Sequence, residues 1–480
     1  MVSAGGPRSG RVEFEPHKRR FNEKFFYVSI PYKKMESGNS YIPRGLRVGA
    51  ERLSTFSRNR FKVMPSGSDT SGPNQLCTFV LPSNSIIDLH SFKIHGDVQS
   101  NRVSDQNDTV KGCLPEGSQL ISRVTVSAGG TQLSQGCNSY NSVARMLKIA
   151  SCSRDKDLSS DRLLSFSTLD DTAGANNVGD HVTMVWSEFL GLFSQASVRY
   201  LDTSLLGALQ VQITWAGNEM VVARPDAGLG NVLTANETAL VAAQPLTYTI
   251  NNLYASVDTI SVDQLFGDLL RKRMSEQGYI SLQMKEYYTF QQSGINATSA
   301  STRFALNCAS IDKVYAGLRR DTYSNPHQDA HEVAGAILSD ALVSQHMRFE
   351  SFDSEDDRDG TLRYQWSVNG VQHPQYLAAV SDAAYDLSYA SNLNGTNTGH
   401  QVSSREQFND NSAIFTLLLN MPDEGIALQS GLDSRGVSSQ MELRLSGLTI
   451  PGGETLNCFI AAECTQEVRL GAGLAVAVSA

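Results

Sequence analysis

The chain has 480 residues, 19% of them charged and 40% hydrophobic, enough apolar material for a core in each of two or three domains. That composition excludes a disordered chain, and no apolar run is long enough to cross a bilayer as a helix; the best is Gly471–Val478. The net charge of −9 is uneven: residues 1–62 carry 14 Lys+Arg and 5 Asp+Glu, a surplus of +9 that leaves −18 on the rest.

The N-terminus, Met1–Arg8, lacks the apolar core of a signal peptide, so the expected setting is a reducing one inside a cell. The seven cysteines agree. They are scattered, odd in number and never spaced as CxxC, and read as free thiols. Sequons begin at Asn107, Asn236, Asn296 and Asn394, and without a secretory signal they read as loop sequences.

Residues 1–74 read as a basic N-terminal arm, with Gly, Ser, Pro, Arg and Lys at both ends and no sustained amphipathic period. Within it Arg8, Arg11, Lys18, Arg19, Arg20 and Lys24 interleave with Phe25, Phe26 and Tyr27, and Phe25–Ile30 could form a strand. Cations there can neutralise phosphates while aromatics stack on bases, or the same groups can anchor a neighbouring subunit. Genome or lipid contact, a tie between subunits and plain disorder all stay open from the residues alone.

From Gln75 the texture turns to strands. Leu76–Pro82 opens the series and Ile86–Val98 continues it. Leu120–Val126 then meets a turn at Ser127–Gly130, and Tyr140, Val143, Ala144 and Leu147 mark one face of a helix over Tyr140–Leu147. A loop-rich stretch follows over 152–195. Leu209, Val211, Ile213 and Trp215 alternate with polar residues in the cleanest period-two run of the chain. Residues 218–244 read as loop, Leu246–Val257 as a strand and Val262–Met274 as a helix leading out.

The second half repeats this order. Tyr279–Lys285 and Phe304–Cys308 are expected strands, and Leu362–Val368 meets a turn at Asn369–Gly370, 240 residues after Gly130. Tyr376–Leu387 carries a helical face, with Pro374 placed as a first-turn proline. Residues 392–412 read as loop, Met441–Leu445 alternates as Leu209–Trp215 did, and Leu456–Ala462 and Val468–Val478 supply closing strands. A repeat on that scale means two copies of one domain. The expected plan is an arm over 1–74, a first domain over 75–262, a connecting helix over 263–276 and a second domain over 277–480.

No motif carries chemistry. There is no G-x-S-x-G elbow, no Walker A loop and no H-E-x-x-H. His327 and His331 share a helical spacing near Asp329 and His346, yet no convergent third ligand is evident, so the reading is a solvated polar segment. Glu355–Gly360 resembles the first half of a calcium loop, but its twelfth position is Trp366, and it reads as an exposed turn. No catalytic residue, cofactor or metal site is expected, so the chain reads as a non-enzyme.

Many short strands, Gly/Asn turns and helical excursions fit an all-β chain with short helical insertions: two tandem jelly rolls, each of eight antiparallel strands in two facing sheets. Two similar rolls give one chain two similar lateral faces, and three chains could then tile as a pseudo-hexagon. The chain resembles the double jelly-roll major capsid proteins of small eukaryotic double-stranded DNA viruses, the polinton-like viruses and virophages. The resemblance lies in Tyr248–Asp258 with the helix and Tyr279–Phe290 after it, in Phe304–Ala316, and in Ser430–Gly436 ahead of the closing strands. It spans 75–480 as scattered patterns and not as one strict motif.

The resemblance implies homotrimeric capsomers in an icosahedral shell, with the roll axes upright to its surface. It places the protein in the virion, assembled inside the host cell. The 74-residue arm departs from the compact start of that family, which leaves a neighbouring capsomer, a minor or penton capsid protein, the genome or an internal membrane as its partner. Two other readings stay open: a capsid protein with one shell jelly roll plus a protruding domain, and a β-sandwich lectin or glycosidase.

Overall fold

The computed structural model describes residues 57–106, 109–134, 137–151, 181–187, 189–225, 235–261, 272, 276, 278–320, 352, 360–391, 413–420, 431–435, 439–450, 455–471 and 476–479. The arm residues Arg8 to Tyr27, the strand expected at Phe25–Ile30 and the His327–His331 segment lie outside these. So do the 392–412 loop and all of Glu355–Gly360 except Gly360. Of the helix expected over Val262–Met274 only Lys272 is described, and it is helical.

The first half forms strands β1 (Ser57–Val63), β2 (Leu76–Val80), β3 (Ile86–Ser100), β4 (Arg102–Ser104), β5 (Thr109–Cys113), β6 (Ile121–Ala128) and β7 (Thr131–Ser134). Helix α1 (Tyr140–Ser151) interrupts them, and β8 (His181–Trp186), β9 (Tyr200–Asp202), β10 (Leu209–Trp215), β11 (Val222–Pro225) and β12 (Tyr248–Ser261) follow. The second half has β13 (Tyr279–Ile295), β14 (Ser299–Leu306), β15 (Ile311–Arg320), β16 (Arg363–Val368) and β17 (Val371–Ala379). Helix α2 (Val380–Ser391) leads to β18 (Ile414–Leu418), β19 (Ser439–Ser446), β20 (Leu456–Gly471) and β21 (Val476–Ser479).

Both halves are wired alike. In the first, one sheet runs β1-β12-β3-β8 and the other β2-β10-β6-β7; in the second, the paths are β13-β20-β15-β18 and β14-β19-β16-β17. Matched in chain order, the eight strands on these paths in one half have counterparts at the same sheet positions in the other, while β4, β5, β9, β11 and β21 lie off the paths. These are the two facing antiparallel sheets of a jelly roll, written twice. The expected double jelly roll is the fold observed.

Alternation explains which faces close. On β10, Leu209, Val211, Ile213 and Trp215 are buried while Gln210, Gln212 and Thr214 are partly exposed. Trp215 meets Trp186 of the opposite sheet at 5.1 Å between ring centroids, and in the second roll Tyr364 meets Phe415 at 5.1 Å. The repeated glycines mark one turn type. Gly129 and Gly130 have φ of 56° and 88°, and Asn369 and Gly370 have 50° and 84°. A two-residue hairpin of this kind needs positive φ at both positions, which Gly and Asn tolerate. Each turn joins two strands, so the repeated unit is a hairpin followed by a helix.

Four expectations change. The range read as arm contains β1, which pairs with β12 from Ser57↔Ser261 to Val63↔Ala255. It shows no alternation because nearly all of it is exposed. The helix expected from Tyr376 starts at Val380 instead. Pro374 sits in strand β17, at the sheet edge where a missing N–H is tolerated. The backbone N–H of Ala379 donates to Asp382 Oδ2 at 3.1 Å, one half of a capping box that fixes the later start. Third, Val468–Val478 is no single strand: Val468 pairs with Val478 and Leu470 with Val476, so the chain reverses between them. Fourth, the loops expected at 152–195 and 218–244 contain β8, β11 and a short helix over Ala235–Ala243.

Candidate functional site: the seam between the rolls and its open counterpart

The described residues contain no group of His, Cys, Asp and Glu able to hold a metal ion. What the fold does bring together is a polar seam where the first roll covers the second. β13 is an edge strand, and the loop before β9 closes its outer edge. Ser197 N donates to Gln283 O at 2.8 Å and Lys285 N to Gln195 O at 3.2 Å. Side chains continue the join. Gln195 Nε2 donates to the Tyr287 hydroxyl at 2.8 Å, Ser134 Oγ of β7 to Glu286 Oε1 at 3.0 Å, and Gln466 Nε2 to Leu133 O at 2.6 Å. Arg319 donates to Ser142 Oγ of α1 at 2.9 Å.

Beneath this cover lies a charged triad. Lys285 Nζ stands 2.6 Å from Asp312 Oδ2 and 3.4 Å from Glu463 Oε1, with side-chain exposures of 13%, 2% and 8%. Thr465 Oγ1 accepts from Lys285 at 2.8 Å and donates to Asp312 at 2.5 Å, and Ser310 Oγ donates to the other Asp312 oxygen at 2.7 Å. Burial pulls the Lys285 pKa down, but Glu463 and Asp312 outweigh it and the net direction is up. The phenols of Tyr287 and Tyr315 are pushed well above 10.0 by burial and then by Glu463, so both stay neutral donors beside it.

The first roll carries the same triad at the same lattice points. Lys285 faces Thr465, two residues from Glu463; Arg58 faces Ile260, two residues from Asp258. Asp258 in turn pairs with Asp88 of β3, as Glu463 lies beside Asp312 of β15. Arg58 bonds Asp258 through both Nε and an η nitrogen and lies 3.7 Å from Asp88; Arg60 Nε donates to Asp258 at 2.7 Å. Arg199 grips Asp88 with two bonds of 3.0 and 2.9 Å. Hydrogen bonding from Arg60, then Arg58, holds the Asp258 carboxyl below its usual range despite the opposing effect of burial.

The difference between the copies is cover. Arg58 and Arg60 are 50% and 66% exposed, where Lys285 is closed in by the neighbouring roll. None of these residues was singled out by sequence reasoning. A signal was present: Asp88, Asp258, Lys285, Asp312 and Glu463 each interrupt an apolar strand, and a charge there needs a partner.

No protein-family model matches the chain, and no curated protein matches it in sequence. Its fold does have solved counterparts. PBCV-1 VP54, fitted into a reconstruction of the virophage Sputnik, aligns at a TM-score of 0.58 with 14% identity, over 89% of this chain and 97% of that one. The Faustovirus major capsid protein aligns at 0.57 with 10% identity, over 91% and 92%. A quasi-atomic model of the PBCV-1 virus capsid aligns at 0.55 with 13% identity, over 89% and 97%. This chain has their fold. The likeness runs through both rolls of the double jelly roll, not through one alone.

Proposed function

We propose that this protein is the major capsid protein of an icosahedral double-stranded DNA virus, a structural subunit and not an enzyme. The observation that carries the reading is the duplicated roll sealed side by side in one chain, matched over nearly the whole length of proteins named as viral capsid subunits. Two rolls joined through one seam form a third of a six-roll ring, so a homotrimer is the capsomer expected. The protein then belongs in the virion, in contact with its own copies and with minor or penton proteins.

The arm residues Arg8, Arg11, Lys18, Arg19, Arg20, Lys24, Phe25, Phe26 and Tyr27 are assigned to contact between subunits or with genome or membrane, on their charge and aromatic content. The domain plan proposed is an arm over 1–74, a first roll over 75–262, a connecting helix over 263–276 and a second roll over 277–480, and the pairing of β1 with β12 supports extending the first roll back to Ser57. Mass photometry and negative-stain microscopy of the full chain test the function. Trimers or shells are expected; a monomer at micromolar concentration overturns it.

A further inference from the structure

The seam inside the chain shows how one roll receives another, and each roll has its own copy of both surfaces. In the first roll, hairpin strand β7 enters the seam through Ser134 and Leu133, and α1 through Ser142. The matching strand of the second roll, β17, is sealed by nothing among the described residues. It is exposed along almost its whole length, and Val371, Tyr376 and Leu377 stand open on it beside Tyr385 of α2, at 57%, 61%, 54% and 69% exposure. An edge strand with its apolar side chains in water is an invitation to a partner.

The receiving surface is duplicated too. In the second roll it is β13 with β20 and β15, and it is occupied. In the first it is β1 with β12 and β3, and its edge strand β1 is exposed, with Phe61 at 45%. Charge fits the match. β1 carries Arg58, Arg60 and Lys62, whereas α2 carries Asp382 and Asp386 and no basic residue. The His95 pKa is lowered by burial and then by Lys93, Arg60 and Lys62, which marks this face as cationic.

We infer that β17 and α2 of one copy dock on the β1–β12–β3 face of the first roll in a second copy, repeating between chains the seam made within one. The inference rests on the capsomer reading and names the surface that would build it. A head-to-tail contact of this kind closes into a ring when each step repeats the same rotation.

Register makes it specific. Arg58 occupies the place of Lys285, so Asn59 occupies that of Glu286. Ser134 faces Val126 in the first hairpin, and His373 faces Trp366, the counterpart of Val126, in the second. The Ser134–Glu286 hydrogen bond therefore maps onto His373 of one copy and Asn59 of the next.

The test uses the full chain. Asn59→Cys/His373→Cys is oxidised and run on a non-reducing gel beside each single variant. Val371→Asp/Leu377→Asp is weighed by mass photometry beside wild type and Val80→Asp, a control at an exposed apolar position on β2. Expected are trimeric wild type and Val80→Asp, a covalent ladder reaching the trimer only for the cysteine pair, and at least tenfold weaker association of the aspartate double variant. A trimeric wild type with no ladder and an unweakened double variant overturns the surface assignment and leaves the capsomer reading standing. A monomeric wild type overturns both.

Discussion

Replacing Lys285 with Met removes the one ammonium between Asp312 and Glu463 while keeping most of the side-chain volume. The two carboxylates are 2% and 8% exposed, and Lys285 supplies bonds of 2.6 Å to Asp312 and 2.8 Å to Thr465. Taking one partner from a buried ion cluster strands the others, at a cost of about 3–5 kcal/mol. For a cooperative unit the size of one roll that lowers Tm by roughly 6–20 °C. Urea unfolding and calorimetry of K285M read the loss, and K285M/D312N/E463Q, which removes all the charge, should recover most of it. The sign with pH is fixed. The folded Lys285 pKa lies above 10.5, so the triad's contribution is complete below that value and is lost only as pH rises through the higher folded one. The gap between wild type and K285M should be level from about pH 6 to 9 and close in strong alkali. A loss under about 1 kcal/mol, the size of an exposed pair, would refute the claim that the first roll closes this site.

Asp258→Asn frees Arg58 and Arg60 and should loosen β1, read as faster trypsin cleavage at Arg58, Arg60 and Lys62; an unchanged cleavage rate would mean the pairing with β12 holds alone. Because the folded Asp258 pKa is depressed below 3.8, its contribution is complete above that value, and wild-type β1 amides should lose exchange protection only as pH falls through the lower folded one. Gly317→Ala places a Cβ 2.3 Å from the Phe352 ring and should cost about 1–3 kcal/mol, visible in the urea midpoint. The six described cysteines are all buried, and burial pushes Cys77, Cys137 and Cys458 up to about 12. Native protein should leave these six thiols unlabelled by an aromatic disulfide reagent for many minutes, with mass spectrometry locating any label; guanidinium should expose them all.

The fold was legible where local chemistry repeats. Gly129-Gly130 and Asn369-Gly370 announce the same hairpin because positive φ at two successive positions narrows the residues allowed. Leu209–Trp215 and Met441–Leu445 alternate because each sits mid-sheet with one face in the core. Legibility failed at edges. β1 exposes both faces, so it has no period to read, and its place is set by Asp258 some 200 residues away. β17 failed for the same reason, and its exposed Tyr376 imitated the apolar side of the helix that starts after it. Sites suffered most. The charged triads join strands far apart in sequence, and nothing within one strand says which distant charge it will meet.

The two triads also show how one design serves a closed site and an open one. The closed copy uses Lys285, a compact ammonium whose three donors reach Asp312, Glu463 and Thr465. Its carboxylates outnumber its cation, and hydroxyls from Ser310 and Thr465 supply the rest of the satisfaction. The open copy sets three guanidiniums, Arg58, Arg60 and Arg199, against two carboxylates, with two of the three half in water. A cluster meant only to tie β1 to its own sheet would need no surplus cation. The surplus faces outward on the surface whose twin is covered by a neighbouring roll, and the acidic helix α2 leaves the other end of the chain with the opposite charge. Self-complementary ends of that kind steer copies into head-to-tail register and disfavour head-to-head pairing, where cation would meet cation.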